Sequence, residues 1–190
     1  MDFIDRLTAL LQNSKENTVL SDNGVRLLFP TRETPPLAKH YVFPPMPLAI
    51  RQKLIQSYRR PFPDELLEIY NIANGMMLFW ERIPVEYEGT KLVLAHAKIS
   101  VFGVPITHDR KHLEPLNIVL EDFDRTTQYS ESWLKFGAAS DIFENQVRAN
   151  YSLYFDTECN SVYMIDRSNH SEYGRWQSID KCLCELYDKA

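Results

Sequence analysis

The sequence predicts an α+β fold, in which helices near both ends of the chain enclose a run of strands. Apolar residues recur with the period of a helix before residue 75 and again after residue 178. Between these segments, apolar and polar residues alternate with the period of a strand. Strands clustered between helices, without a repeated strand–helix–strand unit, are typical of an α+β domain.

An N-terminal extension, residues 1–40, is predicted to pack on a main domain of residues 41–190. Phe3, Leu7 and Leu10 form the apolar stripe of a first helix, and residues 25–29 fit a short strand. Six prolines between positions 30 and 47 are incompatible with a regular helix and indicate an extended connector.

Two helices and a buried strand are predicted to open the main domain. The first helix spans residues 47–58 and the second spans residues 63–74. Asp64 and Glu65 favour the start of the second helix because their charges complement the positive end of the helix dipole. Asn74 and Gly75 tolerate a left-handed conformation and are expected to close it. The apolar run at 76–80 is too short for another helix and predicts a buried strand.

The rest of the chain is predicted to be mainly strands, closed by a helix. Residues 150–156 alternate strongly and form a hairpin with residues 162–166 across a polar loop. Ser178 is the expected N-cap of the last helix. The other predicted elements are strands at 83–87, 91–96, 99–105 and 132–137, and a helix at 116–123.

Composition narrows the functional class. The formal net charge of −5 argues against a general nucleic-acid binder, because phosphate contact needs a basic surface, and it suits a basic protein partner. No secretory signal and no apolar stretch of about 20 residues is present, so we expect neither secretion nor membrane insertion. Three cysteines suggest no disulfide framework, and the expected location is the cytoplasm.

The sequence gives only weak evidence for metal ligands. His108 and His112 have the spacing of two ligands on one helix, but flanking prolines and neighbouring basic residues favour a solvated turn. Cys182 and Cys184 point apart on a helix and are expected to be small buried residues. Cys159 lies alone in a loop. No glycine-rich phosphate loop or nucleophile elbow is found, and no cofactor is predicted.

Five acidic residues are the candidate partner-binding residues: Glu121, Asp122, Asp124, Asp141 and Glu144. They fit either a solvated helix end or a surface that steers a basic partner towards docking. Nothing in their spacing fixes two carboxylates at a catalytic separation.

Three tryptophans, Trp80, Trp133 and Trp176, are candidate interface anchors. Each lies in an apolar context, so core packing is the favoured interpretation.

The order and spacing of several motifs resemble the SUKH superfamily, which includes the fungal Smi/Knr cell-wall-assembly regulators and many bacterial toxin-immunity proteins. The first motif is FPDEL at 62–66, followed by YNIANG at 70–75. The later strands match as LYFD at 153–156 and SVYMID at 161–166, and WQSI at 176–179 leads into the last helix.

The resemblance implies a curved, mainly antiparallel sheet flanked by helices, and a function in protein binding without shared catalytic residues. Bacterial members often neutralise a toxin, commonly a nuclease or deaminase, whereas fungal members act as regulatory scaffolds. The leading hypothesis is therefore a non-catalytic immunity protein that binds a toxin domain. A scaffold is the first alternative. An enzyme or small-ligand protein is the second, and it requires polar groups that converge in a concave site.

Overall fold

A computed structural model of the protein describes residues 1–14, 18–28, 39–58, 60–87, 89–104, 132–143 and 146–190. Within these residues the chain forms four α-helices and one sheet of nine strands, in which all neighbouring strands are antiparallel. The predicted α+β class with an antiparallel sheet is confirmed.

The sheet order follows the chain, so that each strand lies beside the strands that precede and follow it. The helices are α1 Phe3–Asn13, α2 Leu48–Ser57, α3 Asp64–Ile72 and α4 Ile179–Lys189. The strands are β1 Thr18–Leu20, β2 Arg26–Leu28, β3 His40–Val42, β4 Met76–Tyr87, β5 Thr90–Val101, β6 Trp133–Phe143, β7 Gln146–Asp156, β8 Ser161–Asp166 and β9 Glu172–Trp176.

Several predicted elements need correction. The strands predicted at 76–80 and 83–87 are one continuous strand, β4, and those at 91–96 and 99–105 merge into β5, which ends at Val101. The proline-rich connector contains β3, which pairs with β2 and β4 at positions that carry no proline. β1 and β9 were not predicted. The helix predicted at 116–123 lies outside the described residues.

The main hydrophobic core lies between the helices and one face of the sheet. Met76 and Met77 are neighbours in β4 but belong to different apolar clusters, as expected when successive strand residues face opposite sides. The Tyr70 hydroxyl donates to the Phe102 carbonyl at 2.9 Å, so the buried phenol is satisfied. Fully buried members of the core include Phe3, Leu7, Leu66, Tyr70, Leu78, Phe136, Leu153 and Ile179.

The first turn of α4 is held by α1 and α3. The Ser178 hydroxyl accepts a hydrogen bond from the Lys181 amide at 3.1 Å, which confirms the predicted N-cap. The Ile179 amide donates to the Glu65 carboxylate at 2.7 Å. The Phe3 amide donates to Asp180 at 2.6 Å. These bonds position α4 over the sheet.

The Asn-Gly pair after α3 differs in detail from the expectation. α3 is terminated by Ala73, which is extended, and Gly75 has the predicted left-handed conformation with φ of 89°. Asn74 instead lies buried with its side chain bonded to Val104. The asparagine therefore joins the helix end to the segment after β5.

We expect Gly103→Ala to destabilise the protein by about 2 kcal/mol, because the new methyl group would overlap the backbone oxygen of Asn74. The control is Gly89→Ala, where space is open but φ is 75°, and we expect it to cost about 1 kcal/mol. Urea unfolding measures both. Equal stability of Gly103→Ala and the wild type would contradict the close approach.

Candidate functional site

A cleft of about 350 Å³ lies between the last turn of α4 and one face of the sheet, and we call it the C-terminal cleft. Ile99, Ala139 and Tyr151 form part of its floor as a cross-strand row on β5, β6 and β7. Met164 and Gly174 extend the floor on β8 and β9, where they are paired. The floor is therefore largely apolar and is built by five neighbouring strands.

The α4 wall of the cleft is fixed by one carboxylate. Glu185 accepts a hydrogen bond from the Trp176 indole nitrogen at 2.7 Å. Its other oxygen lies 2.5 Å from the Lys189 ammonium. The hydrogen bonds from Lys189 and Trp176 lower the pKa of Glu185, so the carboxylate stays ionised. This pairing links the last turns of α4 to the edge strand β9.

Tyr151 and Tyr173 line the cleft and form what we call the aromatic corner. Asp141 also lines the cleft, near Tyr151. The rings of Tyr151 and Tyr173 lie 4.6 Å apart. Tyr151 is 6% exposed, whereas Tyr173 is 65% exposed. Burial, Tyr173 and the nearby charges of Asp141 and Asp166 raise the pKa of Tyr151 to about 12, so its hydroxyl stays protonated at neutral pH.

The charged side chains that line the cleft differ in the partners that hold them. The Lys98 ammonium lies 2.9 Å from the Glu81 carboxylate and donates to the Ala190 carbonyl at 3.1 Å. The Arg175 guanidinium lies 5.0 Å from the centre of the Tyr163 ring. Asp141 is exposed and forms no hydrogen bond or ion pair with another described residue. Its carboxylate is therefore available to a ligand.

Of the five predicted partner-binding residues, the described part of the chain contains only Asp141, and it lines the C-terminal cleft. Glu121, Asp122, Asp124 and Glu144 lie outside the described residues. Their contribution to one acidic surface stays a prediction.

The cysteines are free thiols at three levels of burial. Cys182 is buried, Cys184 is partly buried and Cys159 is exposed. Burial raises the pKa of the Cys182 thiol well above its usual range.

His108 and His112 lie outside the described residues. Across the described ranges, no three His, Cys, Asp or Glu side chains are grouped to hold a metal ion, and no helix is long and apolar enough to cross a membrane.

The three tryptophans are each half-buried and have different surroundings. Trp80 packs against the smaller apolar cluster, with its ring 5.1 Å from that of Tyr41. Trp133 stacks on Tyr163 at 4.5 Å. Trp176 packs against the main core and also lines the cleft, and its role as an interface anchor stays a prediction.

Sequence reasoning did not single out Tyr151, Tyr173, Glu185 or Lys189 as site residues. Tyr151 lies on the apolar face of the predicted hairpin, where it resembles any core residue. Glu185 and Lys189 have the i, i+4 spacing of an ordinary surface pair. Tyr173 belongs to a short strand interrupted by glycine. The sequence feature that could have pointed to this site is the aromatic content of the 173–176 segment.

The cleft can remove an apolar group from water and present one carboxylate to a cation. Its aromatic corner offers a face for stacking and for an aliphatic chain. Comparisons of the sequence with protein-family models, with curated proteins and with solved structures found no match. The function proposed for this protein therefore starts from its own residues.

Proposed function

We propose that the protein is a non-catalytic binding module that recognises another protein through the C-terminal cleft. The observation that carries this proposal is the combination of an apolar floor with the strongly exposed aromatic ring of Tyr173. Large aromatic side chains beside a pocket are typical of the few residues that dominate a protein interface. The cleft would receive an anchor side chain, and the surrounding charged groups would form the polar rim.

Within this class, we propose a cytoplasmic immunity protein of the SUKH type that binds a basic toxin domain and covers its substrate groove. The motifs from FPDEL at 62–66 to WQSI at 176–179 support it by their resemblance to that superfamily. The net charge of −5 supports a basic partner, since complementary charge speeds association and orients docking. A regulatory scaffold is the alternative within the same class.

A small-ligand protein is a second candidate, and the size of the cleft favours it. Its volume of about 350 Å³ falls within the range of about 300 to 1,000 Å³ typical of small-molecule sites. Asp141, Tyr151 and Glu185 also bring polar atoms to an otherwise apolar cavity. A metabolite that remains bound through purification, and is lost when the cleft is altered, would favour this candidate over protein recognition.

The test of protein recognition is quantitative capture from the native host by three tagged forms: wild type, Tyr173→Ala and Leu20→Ala. Tyr173 and Leu20 are both 65% exposed, but Leu20 lies in β1 at the opposite edge of the described sheet. We expect Tyr173→Ala to reduce recovery of the partner at least about tenfold, as for an interface hot spot. We expect Leu20→Ala to leave recovery unchanged.

Thermal unfolding of the three forms controls for loss of structure. Full recovery by Tyr173→Ala, or an equal loss with Leu20→Ala, would contradict binding at the cleft. A stoichiometric partner that contains a toxin domain would support the immunity function, whereas several signalling proteins would support the scaffold. Association that does not slow as salt rises would contradict steering by acidic residues.

A further inference from the structure

Two carboxylate side chains line the C-terminal cleft, Asp141 and Glu185, and of these only Asp141 has no ion-pair partner among the described residues. Lys189 is paired with Glu185, and Lys98 is paired with Glu81. A carboxylate beside an apolar cavity attracts a cationic group whose apolar stem enters that cavity.

The cations nearest to the cleft are held by other groups and leave Asp141 unneutralised. The Arg175 guanidinium lies over the ring of Tyr163 and lies 3.5 Å from the Ser161 hydroxyl. Tyr163 and Met164 are successive residues of β8, and Met164 forms the cleft floor, so Tyr163 faces the opposite side of the sheet. Arg175 lines the cleft, but its guanidinium packs on the ring of Tyr163 and is not paired with Asp141.

The aromatic corner suits the stem of a long basic side chain. Tyr151 and Tyr173 present two rings inclined at 38° to each other beside the cavity. Lysine and arginine pack their methylene groups along such apolar surfaces while their charged heads reach a polar group. A cation close to a tyrosine face is also attracted by the electrons of the ring.

The end of α4 adds a second feature that favours a cation. The last turn of this 11-residue helix lines the cleft, and the carbonyl end of a helix carries partial negative charge. The Lys98 ammonium already donates to the Ala190 carbonyl there, which shows that an ammonium group fits this environment. The helix end and Asp141 thus contribute negative potential to the same cavity.

We propose that the C-terminal cleft is a specificity pocket for one lysine or arginine side chain of the protein partner, with the stem against Tyr151 and Tyr173 and the charged head at Asp141. This inference rests on the proposed function and names the chemistry of the anchor. It explains how a protein of net charge −5 can combine long-range attraction for a basic partner with a defined point of contact.

The test uses three amino-acid probes with blocked termini: N-acetyl-lysine methylamide, its arginine counterpart, and the norleucine counterpart that lacks the charge. Each probe is titrated into the isotope-labelled full chain, and chemical shifts are followed at the Trp176 indole and at the amides of residues 139–142. We expect the lysine or arginine probe to bind at least about fivefold more tightly than norleucine, as for a single charge interaction of about 1 kcal/mol.

Two variants assign the effect to one carboxylate. Asp141→Asn should remove the preference for the charged probes, and Asp22→Asn, which makes the same charge change in an exposed turn between β1 and β2, should leave it intact. Norleucine binding as tightly as lysine, no preference lost in Asp141→Asn, or no shift with any probe would overturn the proposal.

Capture of the protein partner separates this inference from the proposed function. If Asp141→Asn retains the partner in full while Tyr173→Ala loses it, the cleft binds protein but not through a basic side chain. If both variants retain the partner, the cleft is not the binding site, and the proposed recognition of a protein through the C-terminal cleft is wrong. Loss with both variants is the result that we expect.

Discussion

Replacing Asn74 by alanine is expected to lower the free energy of unfolding by about 3 kcal/mol. Asn74 is only 1% exposed, and its side chain bonds to both backbone groups of Val104. The amide nitrogen donates to the Val104 carbonyl at 2.7 Å, and the amide oxygen accepts from the Val104 N–H at 2.9 Å. Alanine removes both bonds and leaves two backbone groups without their partners.

Asn71→Ala is the matched control, because Asn71 is an exposed asparagine near the end of α3, three residues away. We expect it to change stability by no more than about 0.5 kcal/mol, as for an ordinary surface substitution. Urea unfolding of the two variants and the wild type gives the comparison. An Asn74→Ala protein as stable as the Asn71→Ala protein would show that the bonds to Val104 contribute little.

The second large effect is a loss of stability at low pH that depends on His40. This side chain is 6% exposed and lies beside the ring of Phe79 at 4.9 Å. Its Nδ1 accepts a hydrogen bond from the Phe79 amide at 3.3 Å. Burial, together with the charge of Lys39, lowers the pKa of His40 from 6.5 to about 4.

The folded protein therefore keeps His40 neutral where the unfolded chain takes up a proton. Stability from this group is fully present above pH 6.5 and is lost as pH falls towards about 4. The whole loss corresponds to roughly 3 kcal/mol. Protonation of Nδ1 would also break the hydrogen bond from Phe79, whose φ of 55° is unusual for a residue with a bulky side chain.

His40→Asn separates this effect from the titration of carboxylates. Asparagine can offer an oxygen near the position of Nδ1 but does not titrate, so we expect the variant to lose less stability than the wild type between pH 6.5 and about 4. Unfolding by urea across this range measures the difference. Parallel pH profiles for the two proteins would show that His40 is not the group responsible.

Local signals in the sequence predicted the four described helices and several of the strands, but not the assembly of the cleft. The Ser178 cap and the apolar face of α4 lie within one helix, and the hairpin of β7 and β8 is closed by a short loop, so both are readable from neighbouring residues. The hydrogen bond from the Ile179 amide to Glu65 joins residues 114 positions apart, and no local pattern encodes it.

The C-terminal cleft depends on such distant contacts. Asp141 was singled out for its charge, but its place beside Tyr151 follows from the pairing of β6 with β7. Tyr173 reaches the same corner because β9 completes the sheet next to β8. The pairing of the short β9 and the packing of α4 against β8 and β9 are tertiary features. Local sequence patterns therefore pointed to Asp141 but not to the residues around it.

The most direct test of protein recognition at the cleft places a photoreactive amino acid at Lys189, which lines the cleft and has a 67% exposed side chain. Its ion pair with Glu185 is worth only about 0.5 kcal/mol, so the replacement should preserve the fold. The control carries the same group at Val19, which is 53% exposed in β1. Irradiation in the native host should link position 189, and not position 19, to one protein partner. Identical products from both positions, or no protein linked from position 189, would contradict a binding site in the C-terminal cleft.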